Sequence, residues 1–276
     1  MELTLPVAAA VLGAALLHAA WNTLVKASGD KELETYAVAA GSGLLALLMI
    51  PVLPAPAPAS WPWLAGSAAV HILYFVFLAG AYRDGELSYV YPVMRGGGPM
   101  IVAASGAAVF AEALNGGQWL GVLLVCGGIV AFASGAHDRR ATLFALGNAA
   151  VIGAYTLIDA QGARASAAPL SYTLWFFAAN ALLILAMGTL KRGVSVPRHL
   201  ARHWGRALLG GAFSVGSYGI ALWAMTRAPV ALVAVLRETS VIFGAVLAAL
   251  VLREKLTRRR LVATGAVLAG LVLLKI

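Results

Sequence analysis

Displacing the chain along itself by 142 positions lays residues 88–133 over residues 230–275 without a gap. Arg95 falls on Arg237, Glu112 on Glu254, Leu114 on Leu256 and Gly128 on Gly270. Each copy holds an apolar stretch of about 20 residues with an arginine inside it, a Glu-x-Leu exit, a short turn and a second apolar stretch rich in small residues. A repeat of this kind is a supersecondary unit that buries its surface only against a neighbour. Two such units made of apolar helices restrict the fold to a membrane protein built from two halves.

The rest of the chain obeys the same restriction. Of 276 residues, 61% are hydrophobic and 11% charged, with a mean hydropathy of +0.87, whereas a soluble chain carries roughly 25% charged residues. Ten segments have the length and polarity of bilayer crossings: 4–26, 33–53, 61–82, 88–110, 116–134, 141–162, 170–190, 206–226, 230–252 and 258–275. Turn-forming or basic stretches separate them, among them the proline-rich 51–58, Arg83-Asp84-Gly85, Asn115-Gly116 and the basic 191–206. The expected fold class is an all-α integral membrane protein of ten transmembrane helices, arranged as two inverted five-helix repeats over 1–136 and 137–276. A net charge of +9 does not point to nucleic acid, because the cations sit in short gaps between apolar runs and not on one face of a soluble body. Cys126 is the one cysteine, so no disulfide framework or paired-cysteine metal motif exists. Glu2 precedes the first apolar run with no Lys or Arg, which predicts a retained first helix and no cleaved signal.

Cations in short loops stay on the cytoplasmic side. Lys26, Lys31, Arg83, Arg139, Arg140, Arg253, Lys255, Arg258, Arg259, Arg260 and the cations of 191–206 fall in alternate loops, against Arg164, Arg227 and Lys275 on the other side. Both termini are therefore expected outside, in the inner (cytoplasmic) membrane of the cell. Five helices per half is an odd number, so the second half is expected upside down. The loops agree, since the turn after segment 4 has no cation while its twin after segment 9 has several.

With the paired Glu-x-Leu, the ten segments and the opening Leu16-Leu17-His18-Ala19-Ala20-Trp21-Asn22 in hand, the whole chain resembles the drug/metabolite transporter superfamily, in its ten-helix EamA branch and the YddG-like amino-acid exporter group. The resemblance implies a secondary carrier, an exporter of amino acids or other small metabolites, with a central cavity lined by helices 1, 3, 4, 6, 8 and 9. It also implies that Glu112 and Glu254 are structural markers. One departure is that Ala111 and Arg253 precede these glutamates, where relatives commonly have glycine.

Charged groups at membrane depth are costly, so each is a functional candidate. Arg95 and Arg237 lie about 11 Å into their segments. Either offers a guanidinium fork suited to a substrate carboxylate. The structural alternative pairs Arg237 with Glu238 or Asp159, and Arg95 with backbone carbonyls. Pro92, Gly96, Gly97, Gly98 and Pro99 make segment 4 the least helix-like crossing and a candidate hinge, with close helix packing as the other reading of the glycines. His18, Asn22 and Lys26 share one face of segment 1 beside Trp21, and Tyr155 and Asp159 share one face of segment 6. His71 and Tyr74 lie in segment 3, and His71 or His18 is a candidate for proton coupling. Tyr74 and Tyr218 are expected in a pocket wall with Tyr91 and Trp223, whereas Trp61, Trp63, Trp119, Trp204 and Tyr82 read as interface aromatics. Glu112 and Glu254 fall at helix exits, where capping and turn formation are their expected work.

His199 and His203 are four apart but stand among Arg198, Arg202 and Arg206, so the reading there is a solvated headgroup-facing stretch and no metal site. Gly117-x-x-x-Gly121 and Gly265-x-x-x-Ala269 permit close packing, which joins either the two halves or two copies in a homodimer. No phosphate loop for ATP hydrolysis and no catalytic motif or cofactor site occurs. The expected partners are a small-molecule substrate and the lipid bilayer. A multidrug exporter of cations is the rival reading, with Asp159 and Glu238 as its carboxylates, and an intramembrane enzyme is a remote one.

Overall fold

The computed structural model describes residues 1–133, 138–251 and 258–274. The readings for Arg253, Glu254, Lys255, Leu256 and Lys275 lie outside the described residues. Among those described, the regular elements are helices: α1 Leu5–Lys26, α2 Lys31–Met49, α3 Trp61–Asp84, α4 Leu87–Phe110, α5 Gly116–Val130, α6 Arg139–Ala165, α7 Pro169–Arg192, α8 Ser195–Met225, α9 Val230–Arg237, α10 Ser240–Val251 and α11 Arg258–Leu273. Helices suit this sequence because hydrocarbon offers no partner to a backbone N–H or C=O, and a helix satisfies them internally.

The sequence also marks where they begin. Asp30 accepts the amide of Leu33 at 3.0 Å and Asp138 that of Ala141 at 2.7 Å. Asn115 and Gln118 form a reciprocal capping box at the start of α5. Proline opens α1, α3 and α7, where a missing donor costs nothing. At the end of α4, Ala111 adopts a left-handed conformation (φ 56°), the geometry that ordinarily selects glycine.

Three elements depart from expectation. The segment 230–252 is not one helix, because α9 stops at Arg237 and α10 starts at Ser240. The repeat register places Glu238, Thr239 and Ser240 opposite Gly96, Gly97 and Gly98, so irregular backbone occurs in the second copy while α4 stays helical through Pro92 and Pro99. The three glycines of α4 are filled from outside. An added Cβ would lie 2.7 Å from the Cys126 carbonyl at Gly96, 2.8 Å from Ala149 at Gly97 and 2.6 Å from Ile152 at Gly98. Second, α8 begins at Ser195, well before residue 206, and bends at His203 (φ −125°, ψ 25°). Third, among the described residues eight stretches are long and apolar enough to cross a membrane, and the apolar helices 116–130 and 261–273 are shorter. At 1.5 Å per residue, the 15 residues of α5 span roughly 22 Å against a hydrocarbon core of about 30 Å.

Close approaches at glycine hold the bundle. On α2 and α8, a Cβ at Gly41 would meet the Ala207 carbonyl and one at Gly211 the Ser42 amide. On α5 and α11, Gly121 and Gly270 face each other's carbonyls at 2.8 Å from an added Cβ, and Gly128 faces Val267 at 3.1 Å. Within this chain, the stripe holding Gly121 therefore packs on the last helix, while Gly265 has nothing within 4 Å. Val102, Ala103, Val122, Val125, Ile129 and the buried run 230–236 form the main core, joined by α1 and α11. Ion pairs tie one end of the bundle: Asp30 and Glu32 to Arg192, Glu32 to Lys191, and Asp84 to Arg83 and Arg140.

Candidate functional site

A cavity of about 250 Å³ lies between α1, α3, α4, α6, α7, α8 and α9. Of the residues expected there, Trp21, Asn22, His71, Tyr74, Tyr91, Arg95, Tyr155, Tyr218, Arg237 and Glu238 line it. His18 does too, stacked edge-on to Trp21 at 5.2 Å between ring centres. Asp159 and Trp223 do not. Trp223 packs on the main core with Arg227 over its ring. Asp159 is fully buried behind the wall, where its oxygens accept the hydroxyls of Tyr172 at 2.9 Å and Tyr218 at 2.5 Å.

The arginines divide their work differently from both expected pairings. Arg95 Nη2 lies 2.9 Å from Glu238 Oε1 and donates to Ser240 Oγ at 3.3 Å, so α4 is bound to the break between α9 and α10. Arg237 pairs with neither Glu238 nor Asp159. Its guanidinium lies 5.3 Å from the centre of the Tyr218 ring, and it forms no ion pair among the described residues. The two equivalent arginines are thus unlike: one is committed to a carboxylate, the other stands in the cavity wall on an aromatic face.

Several wall residues had no signal in the sequence. Met94, Asn148, Thr156, Phe176, Phe177, Ser214 and Ser217 read as ordinary core until their neighbours are known. Tyr82, read as an interface aromatic, also reaches the lining. An apolar recess of about 180 Å³ adjoins the cavity at Trp21, His71, Phe176, Phe177 and Ser214, and extends between α2, α3 and α7. His71 donates through Nδ1–H to the Ser67 carbonyl at 2.8 Å, and its ring stacks on Tyr155 at 4.4 Å between centres.

The two ends of the cavity differ. Tyr82 and Tyr91, 42% and 37% exposed, place its mouth at the end where α3 turns into α4. At the opposite end Glu112 fastens three helices. Its Oε1 pairs with Arg164 of α6 at 2.6 Å and its Oε2 accepts the amide of Val230, the first residue of α9, at 2.8 Å. A carboxylate at a helix start answers both the free amide and the helix dipole. Arg164 also donates to the Met225 carbonyl and lies over Phe110. His199 corrects the headgroup reading, since it is largely covered and contacts the buried Glu34 at 3.0 Å, with His203 stacked on it at 4.3 Å.

With this geometry established, likeness to known proteins is informative. The EamA-like transporter family matches residues 139–276, half of the chain. A solved crystal structure of a protein superposes with a TM-score of 0.74 over 98% of this chain and 98% of its own, at 17% identity, which speaks to the fold alone. No curated protein matches. The chain belongs to the EamA-like transporter family of the drug/metabolite transporter superfamily, and is a multi-pass membrane transporter.

Proposed function

We propose that the protein is a secondary carrier that moves small zwitterionic metabolites, amino acids above all, outward across the inner membrane by alternating access. In this reading residues 1–136 and 137–276 are inverted five-helix repeats, ten crossings in all, with both termini outside, as the sequence repeat and the opposed loop charges suggest. The cavity between them is the binding site.

One observation carries the choice of cargo: Arg237 stands in the cavity wall on Tyr218 and makes no direct ion pair with a carboxylate among the described residues. A guanidinium on an aromatic face keeps its fork available for a carboxylate. The rival reading needs an unpaired carboxylate facing the cavity to hold a cationic drug. Glu238 is bound to Arg95 and Asp159 is enclosed by two tyrosines, so neither supplies it. The apolar recess suits a side chain, being larger than the roughly 150 Å³ that admits a benzene ring.

The test is uptake of each labelled common amino acid into proteoliposomes, with the wild type beside Arg237→Ala. Saturable uptake that falls at least about tenfold in the variant is expected, the value of a charge-assisted hydrogen bond. If folded wild-type protein takes up no amino acid but accumulates tetraphenylphosphonium, the cationic reading replaces this one.

A further inference from the structure

The basic stretch 191–206 carries five cations that look alike in the sequence: Lys191, Arg192, Arg198, Arg202 and Arg206. Folding separates them. Lys191 and Arg192 pair with Glu32 and Asp30 at the start of α2. Arg206 reaches the buried Glu34 at 3.3 Å and donates to the Leu24 carbonyl at 3.1 Å. Arg198 and Arg202 are exposed and form no ion pair among the described residues. They stand four apart in the part of α8 that precedes its bend at His203, so they share one side of the helix, while His199 between them turns to Glu34.

Length sets the level of this arm. The 31 residues of α8 make roughly 46 Å of helix against a hydrocarbon core of about 30 Å. The apolar run lies toward Met225, so the excess is the basic end, at the depth of lipid headgroups. Large apolar side chains flank the two arginines in the chain and are bare: Trp204 is 65% exposed, Val194 69% and Leu190, at the end of α7, 88%. A site for a soluble anion gains nothing from such neighbours, whereas the boundary between headgroups and acyl chains covers them.

We infer that Arg198 and Arg202 form a binding site for the phosphate of an anionic glycerolipid, with Trp204 and Val194 set against its acyl chains. Two guanidinium forks are well shaped for phosphate oxygens. The arm is also tied into the bundle, because His199 and Arg206 fasten it to α2 at Glu34 and to α1 at the Leu24 carbonyl. A lipid held there braces the end at which the cavity opens.

The full chain in detergent is titrated with dioleoylphosphatidylglycerol or dioleoylphosphatidylcholine, and bound lipid is counted by native mass spectrometry. Phosphatidylglycerol is expected to bind more tightly, and Arg198→Gln/Arg202→Gln to weaken it at least about tenfold, since each arginine near the surface adds to the attraction. Arg83→Gln/Arg139→Gln removes as much charge from the same end and is expected to change binding by less than about threefold. Equal losses in the two double variants would mean that net charge alone is read, and an unchanged affinity in Arg198→Gln/Arg202→Gln would mean that the lipid sits elsewhere; either refutes the site. Displacement of the lipid by millimolar inorganic phosphate would make it a soluble-anion site and overturn the lipid assignment. Should the arginine variant not fold, hydrogen exchange of the wild type in nanodiscs decides. Amides of 198–205 are expected to exchange more slowly in phosphatidylglycerol than in phosphatidylcholine, and equal exchange refutes the site.

Discussion

Arg95 and Arg237 occupy the same register of the repeat, and their different surroundings predict different losses. Arg95→Ala leaves Glu238 buried without its cation, a change that costs about 3–5 kcal/mol in a buried pair. A marked drop in melting temperature in detergent is therefore expected, with much of it recovered in Arg95→Ala/Glu238→Gln. Arg237→Ala gives up one cation–aromatic contact, worth about 1 kcal/mol, and is expected to melt close to the wild type while losing transport. Equal destabilisation by the two would show that Arg237 is as structural as Arg95. The sequence announced both arginines, since charge at membrane depth is conspicuous. It did not announce their partners, because Glu238 is adjacent to Arg237 in the chain while its acceptor atom is turned to Arg95, 143 residues away in sequence (238 − 95). Asn148 was illegible for a similar reason. An amide in an apolar helix looks like a packed polar residue until Met94 is seen to satisfy only its nitrogen.

At the scale of elements, glycine positions divide by what surrounds them. Gly41 on α2 has no room, as an added Cβ would collide with the Ala207 backbone of α8, which cannot rotate aside. Gly127 on α5 has nothing within 4 Å. Gly41→Ala is expected to destabilise by about 1–3 kcal/mol or more, and Gly127→Ala to stabilise by up to about 1 kcal/mol, since alanine is the better helix former. Melting temperatures moving in the same direction would contradict these helix contacts. The same geometry shows why alanine at Gly96 or Gly97 would not isolate a hinge, since both positions also carry packing. Helix starts permit a pH test. The Leu33 amide, and then the Arg192 guanidinium, hold the Asp30 carboxyl below its usual range. A lowered folded value means stability that is present above the ordinary carboxylate pKa of about 3.9 and lost as pH falls through the lowered value. Asp30→Asn keeps the cap and removes the charge. Its deficit in melting temperature relative to the wild type is expected at pH 6–7, should begin to shrink below about pH 4 and should vanish only once the pH is under the lowered value, and a deficit independent of pH would assign the effect elsewhere. The apolar runs made most helices readable from the sequence. The break at residues 238–239 was not, because it contains neither glycine nor proline and depends on Arg95 from another helix.

For the whole molecule, the contrast between the ends of the cavity makes the resting state testable. Tyr91 is more than one-third exposed at the α3–α4 end, whereas Glu112, Arg164 and the amide of Val230 fasten α4, α6 and α9 at the other. A carrier working by alternating access must exchange these two conditions, and an empty site that is open at one end is accessible from that side alone. Replacing Cys126 leaves a background for single cysteines, since it is the one cysteine of the chain. A cysteine at the exposed Glu86, in the turn between α3 and α4, marks the side of the mouth, and one at the exposed Ala167, between α6 and α7, marks the opposite side. With a membrane-impermeant maleimide, Tyr91→Cys is expected to react from the same side as Glu86→Cys and not from that of Ala167→Cys. If positive charge orients the chain as the loops suggest, that side is the cytoplasm. Val102→Cys, which lines the cavity at 1% exposure beside the closed end, should remain unmodified in the resting protein. It should become reactive from the Ala167 side in Glu112→Ala, where the fastening of α9 is lost. Reaction of Tyr91→Cys from both sides would mean a continuous pore. Protection of Val102→Cys in both backgrounds would show that Glu112 holds the helix ends together without governing which face of the membrane the site meets.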